Sequence, residues 1–464
     1  MKESSAPSRK AGELAQPGCA MTGFLFQVAG SFPSLALVVF GERECAQAMP
    51  RLTPPVSDLA SWPVFTVALG EREVMEGRAE ERLEAALRVI ARERKPKGII
   101  VVSTCLADTI GADLEAPCRK VQAEMGVPIR GLRTGGLRMR TQAEVSDWVV
   151  RTVMDLLPAS DEIDPDGVNL VGYRTDRPPS RWLQSRVFRT EAARVLDGMG
   201  LRLMGCVPVG AVEEDWTRIG RGAVTVVSDR TIFQKMLKRL DRPGHRVLEA
   251  ASPMGVAGTD RFWREVGRET GRDPEPAIEG DPERRRALEA LPKARDRWAG
   301  KSLAYGIGSH HNFRPDELAQ EGMADLPLFL ELGFRVELVI QERDRPEVHR
   351  RIERNLQAMG VDLSYRLFYE PAVLKPVLEE GGYDLAYLPD FLGGQARAAG
   401  VPMVRFGSMQ PGWWGAVRSW SLLDAGGTPV FQQRYGRFLA PEEGAGPGRG
   451  DGRGGPRTGP GGQG

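Results

Sequence analysis

The feature that most constrains this chain is a recurring alternation. Short, continuously apolar runs are separated by stretches with helical periodicity. The runs LALVVFG (35–41), GIIVVSTC (98–105) and VPIRGL (127–132) form a first series. Between and after them lie a helical stretch near 78–94 and a helix with apolar Val145, Trp148, Val149, Val153 and Leu156. Runs apolar at every position suit strands covered on both faces, so parallel α/β units are expected.

A second series holds VNLVGY (168–173), a helix near 185–199, LRLMGCVPV (201–209), AVTVVSD (223–229), a helix near 231–240 and RVLEA (246–250). The turn-rich segment ASDEIDPDG (159–167) before it reads as a linker. The charged stretch 280–300 reads as one helix. A third series follows: SLAYGIG (302–308), FRVELVIQ (334–341), LSYRLFY (363–369), YDLAYLP (383–389) and VPMVRFG (401–407). The expected fold class is therefore α/β, with three Rossmann-like domains built on parallel sheets. Their bounds are 17–160, 161–300 and 301–440, after a flexible N-terminus (1–16). The Gly/Pro/Arg-rich tail 441–464 lacks the apolar content for a core and is expected to be disordered.

Charge excludes some partners. Lys plus Arg number 63 and Asp plus Glu 62, so nothing favours nucleic acid or an acidic membrane surface. No run of about 18 apolar residues exists for a membrane span. The N-terminal MKESSAPSRKAGELAQPG has no apolar h-region, so a cytoplasmic protein is expected. GxxxxGK[ST] is absent, so ATP hydrolysis by this chain is not expected.

Five cysteines are a poor disulfide framework in a chain of 464 residues, and no CxxC or Cys/His spacing supports structural zinc. Cys105 ends an apolar run, where open α/β sheets hold ligands. Cys45 follows another such end in VVFGERECA, and Cys19 lies upstream in PGCAMTG. All three could meet at one edge of the first sheet and serve as thiolate ligands of an iron–sulfur cluster. The glycines beside them, Gly18, Gly41 and Gly111, would let backbone approach it closely. The alternative is that they are small buried hydrophobes, the commoner fate of cysteine. Cys118 and Cys206 are read as core residues, with a cleft-facing position the alternative for Cys206. His310 and His311, after the first strand of the third series, are read as a turn pair capping the next helix, with proton donation or substrate binding as the alternative. GSMQPGWWGAVRSW (407–420) reads as packing, with a cleft or subunit contact as its alternative.

The segments GCAMTG, VVFGERECA and VVSTCLADTIGADL, in that order, resemble the three cysteine segments of the nitrogenase component 1 family. ALGEREVMEG (68–77), VNLVGY and SPMGVAGTD (252–260) extend the resemblance over about 17–425. The resemblance implies a nitrogenase component 1-like fold. It also implies that Cys19, Cys45 and Cys105 bind an iron–sulfur cluster, four-iron or a larger P-cluster-like one, shared with a partner subunit. The implied partners are a paralogous subunit, in a heterodimer or heterotetramer, and an ATP-dependent iron–sulfur reductase protein. The implied substrate is a small molecule or a tetrapyrrole. Phe40 and Glu44 stand where the family commonly has His and Gly, and neither change removes a thiolate. Ser228 stands where catalytic nitrogenase subunits carry the cysteine that anchors their large cofactor, so anchoring of that kind is not expected here. Two functions follow from the resemblance: an electron-transfer subunit of a nitrogenase-like two-component reductase, or a scaffold for maturation of a complex iron–sulfur cofactor. A cluster-free α/β binding protein is the reading from another class.

Overall fold

The computed structural model describes residues 34–45, 64–135, 142–156, 162–173, 181–207, 211, 213–230, 233–308, 323–389, 392–405 and 407–426. Three sheets, each wholly parallel in its pairings, organise them.

The first sheet runs in the order β2-β1-β3-β4. Its strands are β1 (Leu35–Gly41), β2 (Val64–Ala68), β3 (Gly98–Ser103) and β4 (Ile129–Leu132). Every residue of β1 and β3 is buried, and each face has its own core. Ala36, Val38 and Phe40 pack with Leu83, Leu87 and Ile90 of the helix Ala79–Arg94. Leu35, Leu37 and Val39 pack with Val150 and Val153 of the helix Gln142–Leu156. Alternation of side chains along a strand sends neighbours to opposite layers, which is why both periodic sets are apolar.

The second sheet, β6-β5-β7-β8, holds β5 (Asp164–Val171), β6 (Arg202–Val207), β7 (Gly222–Val227) and β8 (Arg246–Glu249). The third, β11-β10-β9-β12-β13, holds β9 (Ser302–Gly308), β10 (Arg335–Gln341), β11 (Ser364–Phe368), β12 (Leu385–Leu388) and β13 (Met403–Arg405). The cores are shared. Val171, Val207 and Trp216 join the core under the first sheet, while Leu170 and Val226 join one that contains Leu303 and Tyr305.

Two local expectations are corrected. Residues 164–167, read as part of a linker, open β5. Asp164 pairs with Gly222 across an irregular register and its carboxylate is forked by Arg202, so a polar segment is held as strand by pairing and charge. The edge strand β2 was not anticipated. Only Val67 of it is buried, so it carries too little apolar signal.

Candidate functional site

In the first sheet, strand order places the connections after β1 and β3 on opposite sides. Their neighbouring carboxyl ends therefore form a switch point, the usual ligand position in open α/β sheets. Cys45 lies four residues past the end of β1, and Thr104-Cys105 directly follow β3. Cys105 is not the end of the strand as expected. Thr104 is extended (φ −92°, ψ 176°), and Cys105 is the first residue of the helix Cys105–Thr109. Both thiols are half-buried.

The two strand ends are tied together. Gly41 has φ +138°, and a Cβ there would lie 1.7 Å from Thr104 Oγ1, so only glycine fits. The Thr104 amide donates to the Phe40 carbonyl at 2.9 Å, and the Glu42 amide donates to Thr104 Oγ1 at 3.2 Å. The Glu42 side chain then reaches across. Its Oε1 accepts the Leu106 amide at 2.8 Å, in the first turn that carries Cys105. Its Oε2 is buried and has no hydrogen-bond partner. From the other flank, Thr134 donates through Oγ1 to the Ser103 carbonyl at 2.7 Å, and its amide donates to Ser103 Oγ at 2.9 Å. Asp108 Oδ2 accepts the Gly135 amide at 3.0 Å. This shell fixes the Cys105 turn from three sides.

Among the described residues no three of His, Cys, Asp or Glu converge on a single metal ion. A cluster takes its thiolates at separate corners, so it suits donors spread along a sheet edge. The half-buried thiols, the glycine that lets backbone close on Thr104, and the orphaned Glu42 oxygen fit such a group. Cys19, His310 and His311 lie outside the described residues, as do the segments 1–16 and 441–464.

The other expectations resolve by burial. Cys118, on the helix Glu115–Met125, and Cys206, in β6, are 3% and 4% exposed, and burial pushes each thiol up to about 12. Both are core thiols. Trp413 is buried and donates through Nε1 to Asp260 at 2.8 Å, so the Trp-rich segment packs inside the chain. Phe40, fully buried in β1, is a core residue.

The second sheet has the same kind of switch point, between β5 and β7. Gly172 and Ser228 follow those strands and line a cavity of about 690 Å³. Asp229 and Glu249 line it from the same edge, with Ala257 and Gly258 opposite. Ser228 therefore stands on a cavity wall, offering a hydroxyl where the resemblance implied loss of an anchoring thiolate. Glu331 also lines it and closes one side. Its two oxygens accept the Val256 and Ala257 amides at 2.9 and 2.8 Å, capping the helix Gly255–Thr270. The volume is in the range that encloses small molecules and cofactors.

Glu42 was missed in the sequence because the amide it caps is 64 positions away, so no local spacing announces it.

Similarity to known proteins agrees with this fold. A solved structure of nitrogenase Cp1 at pH 6.5 superposes with a TM-score of 0.65 at 17% identity, covering 92% of this chain and 94% of that one, which establishes the fold. The nitrogenase iron-molybdenum cofactor biosynthesis protein NifE of Sinorhizobium fredii is 23% identical over 210 residues, 44% of this chain and 39% of that protein. The light-independent protochlorophyllide reductase subunit N of Dinoroseobacter shibae is 26% identical over 297 residues, 62% of this chain and 64% of that protein. The chain spans about two fifths of the length of the NifE relatives it matches. The family model described as nitrogenase component 1 type oxidoreductase matches residues 19–362, from the first candidate cysteine into the third sheet, and the chain belongs to that family.

Proposed function

We propose that this chain is the iron–sulfur, electron-transfer subunit of a nitrogenase-like two-component reductase. The observation that carries the proposal is the placement of Cys45 and Cys105, both half-buried, after the two strands that flank the first sheet's switch point. With Cys19 they supply the thiolates. A bound cluster supplies a one-electron carrier. The chain's part is to hold and shield it. Thr104 and Ser103, 1% and 0% exposed, exclude water behind the Cys105 turn, and Glu42 and Asp108 lock that turn by accepting backbone amides. A paralogous subunit faces this corner, and an ATP-dependent iron–sulfur reductase protein delivers the electrons. The 690 Å³ cavity at Ser228 is the compartment for a small molecule on this chain.

The second reading, a scaffold for maturation of a complex iron–sulfur cofactor, is favoured by the likeness to NifE proteins, named for cofactor biosynthesis. The same thiolates and cavity serve it, without turnover.

The test is anaerobic purification with the paralogous subunit, followed by iron and sulfide counts and a spectrum under reduction, repeated with Cys105→Ala. Iron near four or more per heterodimer, lost in the variant, is expected. A stable, iron-free protein indifferent to the substitution overturns both readings. Re-oxidation of the reduced cluster by a substrate, sustained by the reductase protein and ATP, selects the first reading. Transfer of iron and sulfide to an acceptor protein without turnover selects the second.

A further inference from the structure

Resting on the reading of the 690 Å³ cavity as a small-molecule compartment, and independently of any cluster, we propose that its ligand is an organic acid. The apolar body lies on Gly258 and Leu330, and Arg261 takes the carboxylate. Three features meet in that cavity. The first is a glycine inside a helix. Gly258 lies near the start of the helix Gly255–Thr270 and lines the cavity. Glycine there weakens the helix relative to alanine. Neither packing nor backbone requires it, because a Cβ would meet nothing within 4 Å and its φ is not among the positive ones. Bare helix backbone facing open space suits the close approach of a ligand.

The second feature is an apolar side chain. Leu330, on the helix Leu326–Glu331, lines the same cavity and is 39% exposed. Its neighbour Glu331 accepts the Val256 and Ala257 amides, so Leu330 and Gly258 stand beside one junction. The third feature is charge. Arg261 lies one turn beyond Gly258 on the same helix face and lines the cavity. Among the described residues it makes no hydrogen bond or ion pair. The acids on the cavity walls are already engaged. Glu331 caps the helix, Glu249 Oε2 lies 3.7 Å from Arg230 Nε, and Asp229 is engaged as well. Arg295, whose Nε donates to the Glu331 carbonyl at 2.8 Å, adds a second positive charge. A guanidinium without an anion of its own takes a carboxylate through two parallel N–H donors.

The full chain, purified anaerobically, is titrated by calorimetry with three probes that share one apolar body: naphthoate, neutral naphthamide and the naphthylmethylammonium cation. The titrations are repeated with Arg261→Gln and Gly258→Leu, and melting temperatures are read without probe. The wild type should bind naphthoate about tenfold or more tighter than naphthamide, and the cation least. Arg261→Gln should erase the preference for the acid and keep the affinity for the amide. Gly258→Leu should weaken both by filling the space they occupy. Both variants should melt no lower than the wild type, since Arg261 has no partner to lose and a leucine at 258 enters open space. Gly258→Ala, which adds one methyl group to the same space, replaces Gly258→Leu if the latter melts early. Acid and amide bound alike, or a preference for the acid that survives Arg261→Gln, overturns the proposal and leaves the compartment reading standing. A cation bound tightest overturns it in favour of the acids on the walls. Binding indifferent to the substitutions at Gly258 places the probes elsewhere and overturns it too. Binding of no probe refutes the compartment reading together with the proposal.

Discussion

At the scale of single residues, the candidate site depends on one glycine more than on any charged group. Gly41 lets β1 leave the sheet with its backbone against Thr104, and that contact brings Glu42 within reach of the Cys105 turn. Gly111, in the loop after the same turn, also has positive φ (+71°), but a Cβ there meets nothing within 4 Å. Gly111→Ala should therefore cost only the backbone penalty, about 1 kcal/mol. Gly41→Ala carries the strain of its φ, roughly 1–3 kcal/mol, and a clash that must displace Thr104. Urea denaturation of the two variants checks this, and equal losses would contradict it. Iron retention should fall in Gly41→Ala alone. Cys45 and Cys105 were legible in the sequence because cysteines just past apolar runs point to a sheet edge. Cys206 was left open between core and cleft because one residue of strand register decides which face a side chain takes.

At the scale of elements, two helices begin on glycines and borrow their caps from another layer. Gly255 has φ +73°, and the amides after it donate to Glu331, the last residue of the helix Leu326–Glu331. Gly412 has φ +85°, and the Trp413 and Trp414 amides donate to Glu191 Oε1 and Oε2 at 3.0 and 3.1 Å. In both places a Cβ would fall 2.4 Å from a carboxylate oxygen, so glycine admits the foreign cap. By contrast the helix Pro282–Trp298 caps itself, with Asp281 accepting the Glu283 and Arg284 amides. Such a local cap leaves a sequence signal, and the charged helix near 280–300 was anticipated. The helix Gly255–Thr270, capped from 75 positions away, was not. Glu331→Ala should cost about 1–2 kcal/mol for the lost cap and open one side of the cavity. Chemical denaturation measures the first, and the reach of a small quencher to the cavity wall measures the second. An unchanged midpoint would show that water replaces the cap at no cost.

At the scale of the whole molecule, the helix Gly412–Gly426 returns from the third sheet to the helices of the second, and Glu191 is where it docks. Glu191 is 1% exposed. Burial pushes its carboxyl up from 4.5 to about 8, opposed by the two backbone N–H donors, with Asp281 adding to the rise and Arg194 reducing it. In the interval from 4.5 to about 8 the folded chain therefore holds a proton that the unfolded chain has released. The resulting stability is complete below 4.5 and is lost as the pH rises through about 8. Denaturation midpoints across that range should fall with rising pH in the wild type, and the fall should flatten in Glu191→Gln. Parallel curves for the two proteins would assign the pH dependence to other groups.

The sequence by itself determined the class of fold, the alternation that builds three parallel sheets, and the family to which its cysteine segments belong. Those are properties of short windows: continuous apolar runs, helical periodicity, a thiol just beyond a strand. Only the tertiary structure decided which strands are neighbours, and so which strand ends form the switch points that Cys45 and Cys105 follow in the first sheet and Gly172 and Ser228 in the second. It alone placed Glu42 on the Cys105 turn and Glu331 and Glu191 on helices of other layers. The physical reason is common to all of them. A backbone amide at a strand end or helix start donates to any carboxylate that packing brings near, and packing is set by the sum of the cores, not by distance along the chain.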